Sequence, residues 1–210
     1  MNLSTRFSQA LAGMGLNLDA ATQARLLDYL GLLAKWNKTY NLTAIHEPER
    51  MLTHHLLDSL ALLPYVTAAR LLDVGSGGGL PGIPLAIARP ELKVTVLDSN
   101  HKKAAFMRQA VIDLRLANVE VVCDRSEAYS PAAAYPQIVC RAFSDLSDFV
   151  RATRHALAPG GEWLAMKGVY PNEEIAQLKG ARLKRDAVLY VPGLEAERHL
   201  IVLQAEEETA

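Results

Sequence analysis

Apolar positions along the chain follow two periods, and the change between them falls near residue 69. Before it the spacing is helical. Leu26, Leu27, Leu30, Leu33 and Ala34 fall on one stripe of period 3.6, and Asp19 stands where an N-cap would begin it. Pro48 and Glu49 read as the first turn of another helix, which carries Met51, Leu52, His55, Leu56, Ser59, Leu60 and Leu63 toward one side. Trp36–Ile45 reads as a polar and aromatic connection between the two. From Arg70 onward, short β-branched runs alternate with helical segments. They are Leu71–Val74, Val94–Leu97, Val119–Val122, Ile138–Cys140 and Trp163–Met166, followed by Ala187–Tyr190 and Leu200–Leu203. Near-continuous apolar strands separated by helices predict parallel strands covered on both faces. The last two runs flank a Pro192-Gly193 turn and read as an antiparallel pair closing one edge. The expected architecture is a Rossmann-like, doubly wound α/β sheet (residues 70–210) preceded by a small helical segment (residues 1–69).

Composition narrows the function classes. The chain has 210 residues, 22 Lys+Arg against 23 Asp+Glu, a formal net charge of −1 and 50% apolar residues. Such a balance excludes a protein that coats nucleic acid through a global positive excess, so any polyanion contact must rest on a local patch. No apolar run reaches the ~20 residues of a membrane span, and Met1–Ala10 lacks the pattern of a secretory leader. Two cysteines give no disulfide framework. A cytoplasmic protein with no membrane contact is expected. The acidic run Glu206–Glu208 reads as a solvated end.

The densest chemical signal is Leu71–Gly82. Four glycines in five positions (Gly75, Gly77, Gly78, Gly79) follow the first parallel strand and open a helix, where open α/β sheets bind ligands. The run lacks G-x-x-x-x-G-K-[ST], which excludes a phosphate-cradling NTPase loop. Gly77, Gly79 and Gly82 do satisfy G-x-G-x-x-G, with Asp98 about twenty residues on, so an NAD-dependent oxidoreductase is a rival reading. Pro81 and Pro84 weigh against it, because they remove amides where a pyrophosphate would seek donors. Read from Gly75, the run is Asp-x-Gly-x-Gly-x-Gly, similar to the first motif of S-adenosylmethionine-dependent methyltransferases. Asp98, ending the second strand, suits the two ribose hydroxyls; Arg125, Ser126 and Glu127 fall where the adenine would lie; Arg141 puts a cation at the pocket edge.

Lys167 and Arg198 are candidates to hold a guanine O6 or a phosphate. Lys35, Trp36, Lys38 and Tyr40 form one candidate RNA surface, and His101, Lys102, Lys103 and Arg108 another. His54 and His55 lack a zincin-type partner, and no metal is expected. Cys123 and Cys140 read as small hydrophobes within strands.

Taken together, Trp36–Ile45, His54–Leu60 with its Asp58-Ser59-Leu60, Asp73–Pro84, Arg141–Phe143, Met166–Gly168, Pro192–Leu194 and Glu197–Leu200 resemble the bacterial small-subunit ribosomal RNA guanine-N7 methyltransferases, also called glucose-inhibited division protein B. The resemblance spans the whole chain. It implies methyl transfer from S-adenosyl-L-methionine to N7 of a guanine in 16S rRNA, with the small ribosomal subunit as partner and a monomeric enzyme. The family's cofactor contacts then fall on Gly75, Leu80, Ser126, Glu127 and Arg141. N7 carries a lone pair and no proton, so no acid–base residue is expected. A non-catalytic module that retains the nucleoside is the other rival.

Overall fold

The computed structural model describes residues 2–141 and 143–206. The end-of-chain residues Glu207 and Glu208, and Ala142 beside Arg141, lie outside the described residues; Glu206 is exposed. Two helices open the chain: α1 (Leu3–Gly13), capped by Asn2, and α2 (Ala20–Tyr40), capped by Asp19, whose carboxylate accepts from the Thr22 amide. The stripe on α2 buries Leu26, Leu30 and Leu33. The helix continues through Tyr40, so Trp36–Tyr40, expected as connection, is its last turn. Trp36 packs at 5.1 Å from Tyr40 and 5.7 Å from Phe106, and this aromatic contact extends the helix past its apolar stripe. A helix then starts at Pro48 in three pieces: α3 (Pro48–Met51), a π-helical turn (Leu52–Leu57) and α4 (Asp58–Leu60).

The sheet follows. Its strands are β1 (Arg70–Val74), β2 (Lys93–Leu97), β3 (Val119–Val122), β4 (Tyr135–Cys140), β5 (Leu157–Lys167), β6 (Ala181–Val188) and β7 (His199–Ala205), in the order β3-β2-β1-β4-β5-β7-β6. The first five are mutually parallel; β7 runs antiparallel to both β5 and β6. The edge strand starts six residues earlier than expected and ends at Val188, because alternating Arg182, Lys184 and Asp186 disguise a strand with one solvated face. Helices α5 (Gly82–Ala88), α6 (His101–Asp113), α7 (Leu146–Thr153) and α8 (Asn172–Ala176) connect the strands.

Alternation along each strand divides the interior in two. Leu71, Val94, Val96, Val139, Leu200 and Val202 join α1, α2, α5 and α6 in one core. Leu72, Val74, Ile138, Cys140, Ile201 and Leu203 join α7 and Trp163 in the other. The helices before the sheet therefore share a core with one of its faces. Gln137, buried in β4, fastens the connection to that face: its carbonyl accepts from the Thr67 and Ala68 amides (2.9 and 3.1 Å), and its amide donates to Tyr65 O (3.1 Å).

Candidate active site

Every site residue picked from the sequence lies at the carboxyl end of β1 to β5 or on the approach to β7. The chain leaves β1 through Gly75 (φ +69°) and Gly77 (φ +60°), both in the left-handed region that favours glycine. A Cβ at either position would meet nothing within 4 Å, so the space above these residues is open to a ligand; at Gly79 (φ +83°) it would collide with Ile83. The turn is tied on all sides. The Gly75 and Ser76 amides donate to Leu97 O (2.8 and 3.1 Å), Ser76 Oγ donates to Asp73 O (2.8 Å), and Tyr29 from α2 donates its hydroxyl to Gly78 O (2.5 Å). Leu80 is buried beneath the loop.

Asp98 is buried and accepts from the Gly77 amide through Oδ2 (2.8 Å) and from the Asn100 amide through Oδ1 (2.9 Å). Capping of α6 falls to Asn100, whose side chain accepts from the Lys102 and Lys103 amides. Each Asp98 oxygen keeps a lone pair for a ribose hydroxyl. Asp73, fully buried, accepts from the Gly82 amide through Oδ2 (2.8 Å), while Oδ1 has no partner. Burial pushes its carboxyl up to about 7.

The first turn of α5 decides between nucleotides. Its amides are consumed or missing: Gly82 N–H goes to Asp73, Ile83 N–H to Gly79 O (2.8 Å), and Pro81 and Pro84 have none. No donor is left there for a pyrophosphate. A nucleoside lacking phosphates, held by the open glycine turn and Asp98, fits these residues. Ser126, half-buried after β3, donates to exposed Glu127 (3.1 Å), leaving the Glu127 carboxylate available at the same rim.

Beside this loop lies a cavity of roughly 320 Å³ lined by Ile45, His55, Asp58, Arg141, Met166 and Arg198, with His54, Lys167 and Gly168 completing it. Asp58, 2% exposed, holds both guanidiniums: Arg198 Nε donates to Oδ1 (2.9 Å) and Arg141 Nη1 to Oδ2 (3.4 Å). Arg141 Nη1 also donates to His54 O (3.0 Å). Lys167 Nζ is held by Glu174 (2.8 and 3.0 Å) and Phe143 O (3.2 Å). His55 exchanges a hydrogen bond with Thr43 through Nε2 (2.9 Å); burial, aided by the charge of Arg141, pulls its pKa down to about 4.

The structure thus brings Arg141, Lys167 and Arg198 together at one cavity and sets Gly75, Gly77, Gly79, Leu80 and Asp98 along the adjoining loop. Asp58 and His55 carry roles that composition and spacing did not assign; the signal available was a carboxylate on an otherwise apolar helical stripe. Cys140 is buried as expected, but Cys123 lies outside β3, half-buried, with Sγ 3.3 Å from His101 Nδ1. The strand ends one residue earlier than the β-branched run suggested. Lys35, Lys38, His101, Lys102 and Arg108 are exposed, whereas Lys103 approaches Asp98 at 4.0 Å.

A seven-stranded sheet in this order, with a glycine turn after β1 and a buried acid after β2, defines a class I S-adenosylmethionine-dependent methyltransferase fold. Among solved structures, a methyltransferase from Thiobacillus denitrificans in complex with S-adenosyl-L-homocysteine superposes with a TM-score of 0.55 at 15% identity, covering 81% of this chain and 96% of that one. The glycopeptide N-methyltransferase MtfA gives 0.62 at 12% identity over 72% and 87%. The rRNA small subunit methyltransferase G family model matches residues 22–201, and the chain belongs to that family. Proteins named ribosomal RNA small subunit methyltransferase G are 57% identical in Laribacter hongkongensis (97% of this chain, 99% of the relative) and 55% identical in Chromobacterium violaceum (96% and 98%).

Proposed function

We propose that the protein transfers the methyl group of S-adenosyl-L-methionine to N7 of a guanine in 16S rRNA, acting as a cytoplasmic monomer on the small ribosomal subunit. Residues 70–210 would form the methyltransferase domain and residues 1–69 a helical segment packed on it. One observation carries the choice of atom. The cavity offers no free base: the carboxylate lining it is spent on two guanidiniums, and its buried imidazole, with a pKa near 4, takes no proton at neutral pH. Chemistry at N7, which has a lone pair and nothing to remove, needs no base.

When bound, the cofactor supplies an electrophilic methyl on a cationic sulfur. The chain's residues supply position. Gly75 and Gly77 leave room for the nucleoside, Asp98 accepts from the ribose, and Ser126 and Glu127 flank the adenine. The same lone-pair argument assigns Arg141 and Arg198 to holding the RNA rather than to proton transfer. The small positive charge at the cavity, on a chain of net charge −1, favours an assembling or assembled subunit over free RNA.

The test is transfer of a radiolabelled methyl group to purified small subunits and to naked 16S rRNA, with the product mapped by cleavage at N7-methylguanine. Label at one guanine of the small-subunit RNA is expected. Transfer to neither substrate, or to an atom other than N7, refutes the proposal.

A further inference from the structure

The π-helical turn Leu52–Leu57 and the residue that follows it turn polar groups toward the cavity: the carbonyl of His54, the imidazole of His55 and the carboxylate of Asp58. π-Turns are rare and recur where a helix must present groups that a regular α-helix would keep in its own ladder. Here the His54 carbonyl accepts from Arg141 Nη1, and Asp58 takes Nε of Arg198 on one oxygen and Nη1 of Arg141 on the other. Arg198 Nη1 is further fixed by Glu197 O (2.9 Å). The Nη2 groups of both arginines make no protein hydrogen bond among the described residues. His55 is 4% exposed, lines the same cavity, and its Nδ1 has no partner. A buried ring nitrogen with nothing to bond to is costly unless a ligand meets it.

We infer that Asp58 is a positioning residue that sets Arg141 and Arg198 at a fixed separation so that the two guanidiniums together grip one phosphodiester beside the target base. The inference rests on the rRNA methyltransferase reading above and deepens it. Guanidinium forks match the oxygens of a phosphate, which a point charge does not. The charges agree: Arg141, Lys167 and Arg198, set against Asp58 and Glu174, leave one net positive charge for one singly charged phosphodiester. Lys167, with its ammonium held by Glu174 and Phe143 O, braces the strand end and leaves the grip to the arginines. A carboxylate placed between two cations lowers the attraction of the pocket for polyanions. Its presence there makes sense if geometry, rather than total charge, limits productive binding.

That contrast gives the test. Asp58→Asn raises the pocket's positive charge while removing one acceptor, and Arg198→Lys keeps the charge but loses the Nε contact. Both variants are assayed for methyl transfer to small-subunit RNA, with donor affinity measured by calorimetry. The expected result is a fall in kcat/KM for RNA of at least about tenfold in each, chiefly through KM, with donor affinity within about threefold. Combining the two substitutions should add less than about twofold, because both remove the same contact. Unchanged or improved kcat/KM in either variant, or fully additive losses, overturns the inference. If Asp58→Asn gives no thermal transition, Arg198→Lys decides alone: a loss supports the role and wild-type kcat/KM overturns it. A wild-type protein that methylates no RNA refutes the parent reading and this one with it; an active wild type with silent variants refutes this one only.

Discussion

The buried carboxyl of Asp73 makes the free protein's stability depend on pH in a way that can be isolated. Its folded pKa is about 7 against an ordinary value of 3.8, because burial disfavours the charged form and Oδ1 has no donor to offset it. A carboxyl with a raised folded pKa holds its proton more tightly in the fold. Its contribution is therefore neutral below the unfolded pKa, turns progressively unfavourable as pH climbs from about 4 to about 7, and is constant above that. At about 1.4 kcal/mol per pH unit the full span is about 4 kcal/mol. His55 acts in the opposite sense. Its pKa falls from 6.5 to about 4, so the unfolded chain binds the proton more tightly and stability declines as pH drops from about 6.5 to 4. The two slopes offset each other between roughly pH 4 and 6.5, and a scan of the wild type alone would show little of either.

Asp73→Asn separates them. Asparagine keeps a carbonyl for the Gly82 amide and removes the titration. The measurement is urea unfolding of both proteins, without ligand, at intervals from pH 4.5 to 8. The stability of Asp73→Asn minus that of the wild type should grow by about 1.4 kcal/mol per pH unit up to about pH 7 and then level off. Any fixed cost of the amide shifts the whole curve and leaves its slope alone. A difference that does not change with pH would show that Asp73 is ionised normally in the fold, and the burial argument would be wrong.

Three further outcomes follow from single contacts. Asp98→Asn turns an amide N–H toward the Gly77 or Asn100 N–H, so calorimetry should show donor affinity reduced at least about tenfold; affinity within about twofold of wild type would exclude Asp98 from the ribose site. Tyr29→Phe removes the hydroxyl that anchors Gly78 O and should lower stability by about 1 kcal/mol in urea, with weaker donor binding as the loop loosens; a wild-type unfolding curve would refute the anchoring role. Gln137→Leu strands the amides of Thr67 and Ala68 and the carbonyl of Tyr65, and should cost about 2 kcal/mol or more without touching the site; unchanged stability would mean that water replaces the side chain.

What could be read from the sequence was local. Asp73, Gly75, Gly77 and Gly79 sit in one turn, and their meaning depends on spacing and backbone freedom, both visible along the chain. The order of buried strands was equally plain, because parallel strands covered on both faces leave unbroken apolar runs. The edge strand β6 was misplaced for the converse reason: with one face in water its apolar signal thins to alternate positions, broken by Arg182, Lys184 and Asp186. Trp36–Tyr40 looked irregular because its helical order comes from an aromatic contact with Phe106, about seventy residues on, and not from its own pattern.

The carboxylate of Asp58 shows where local reading ends. It stands 140 positions before Arg198 and 83 before Arg141, so no spacing rule connects them. On its helix it is one acid among leucines, a pattern that fits a solvated residue as well as a buried one. Only closure of the sheet, which lays β4 beside β5 and β5 beside β7, carries the two arginines to the same helix turn. Once there, the physics is constrained: a carboxylate 2% exposed is stable only if paired, and a pair of guanidiniums close together needs an anion between them. The same closure explains how a chain of net charge −1 can hold RNA. Its positive charges need not outnumber its acids; three of them have only to meet at the cavity beside the glycine turn, where the target base must arrive.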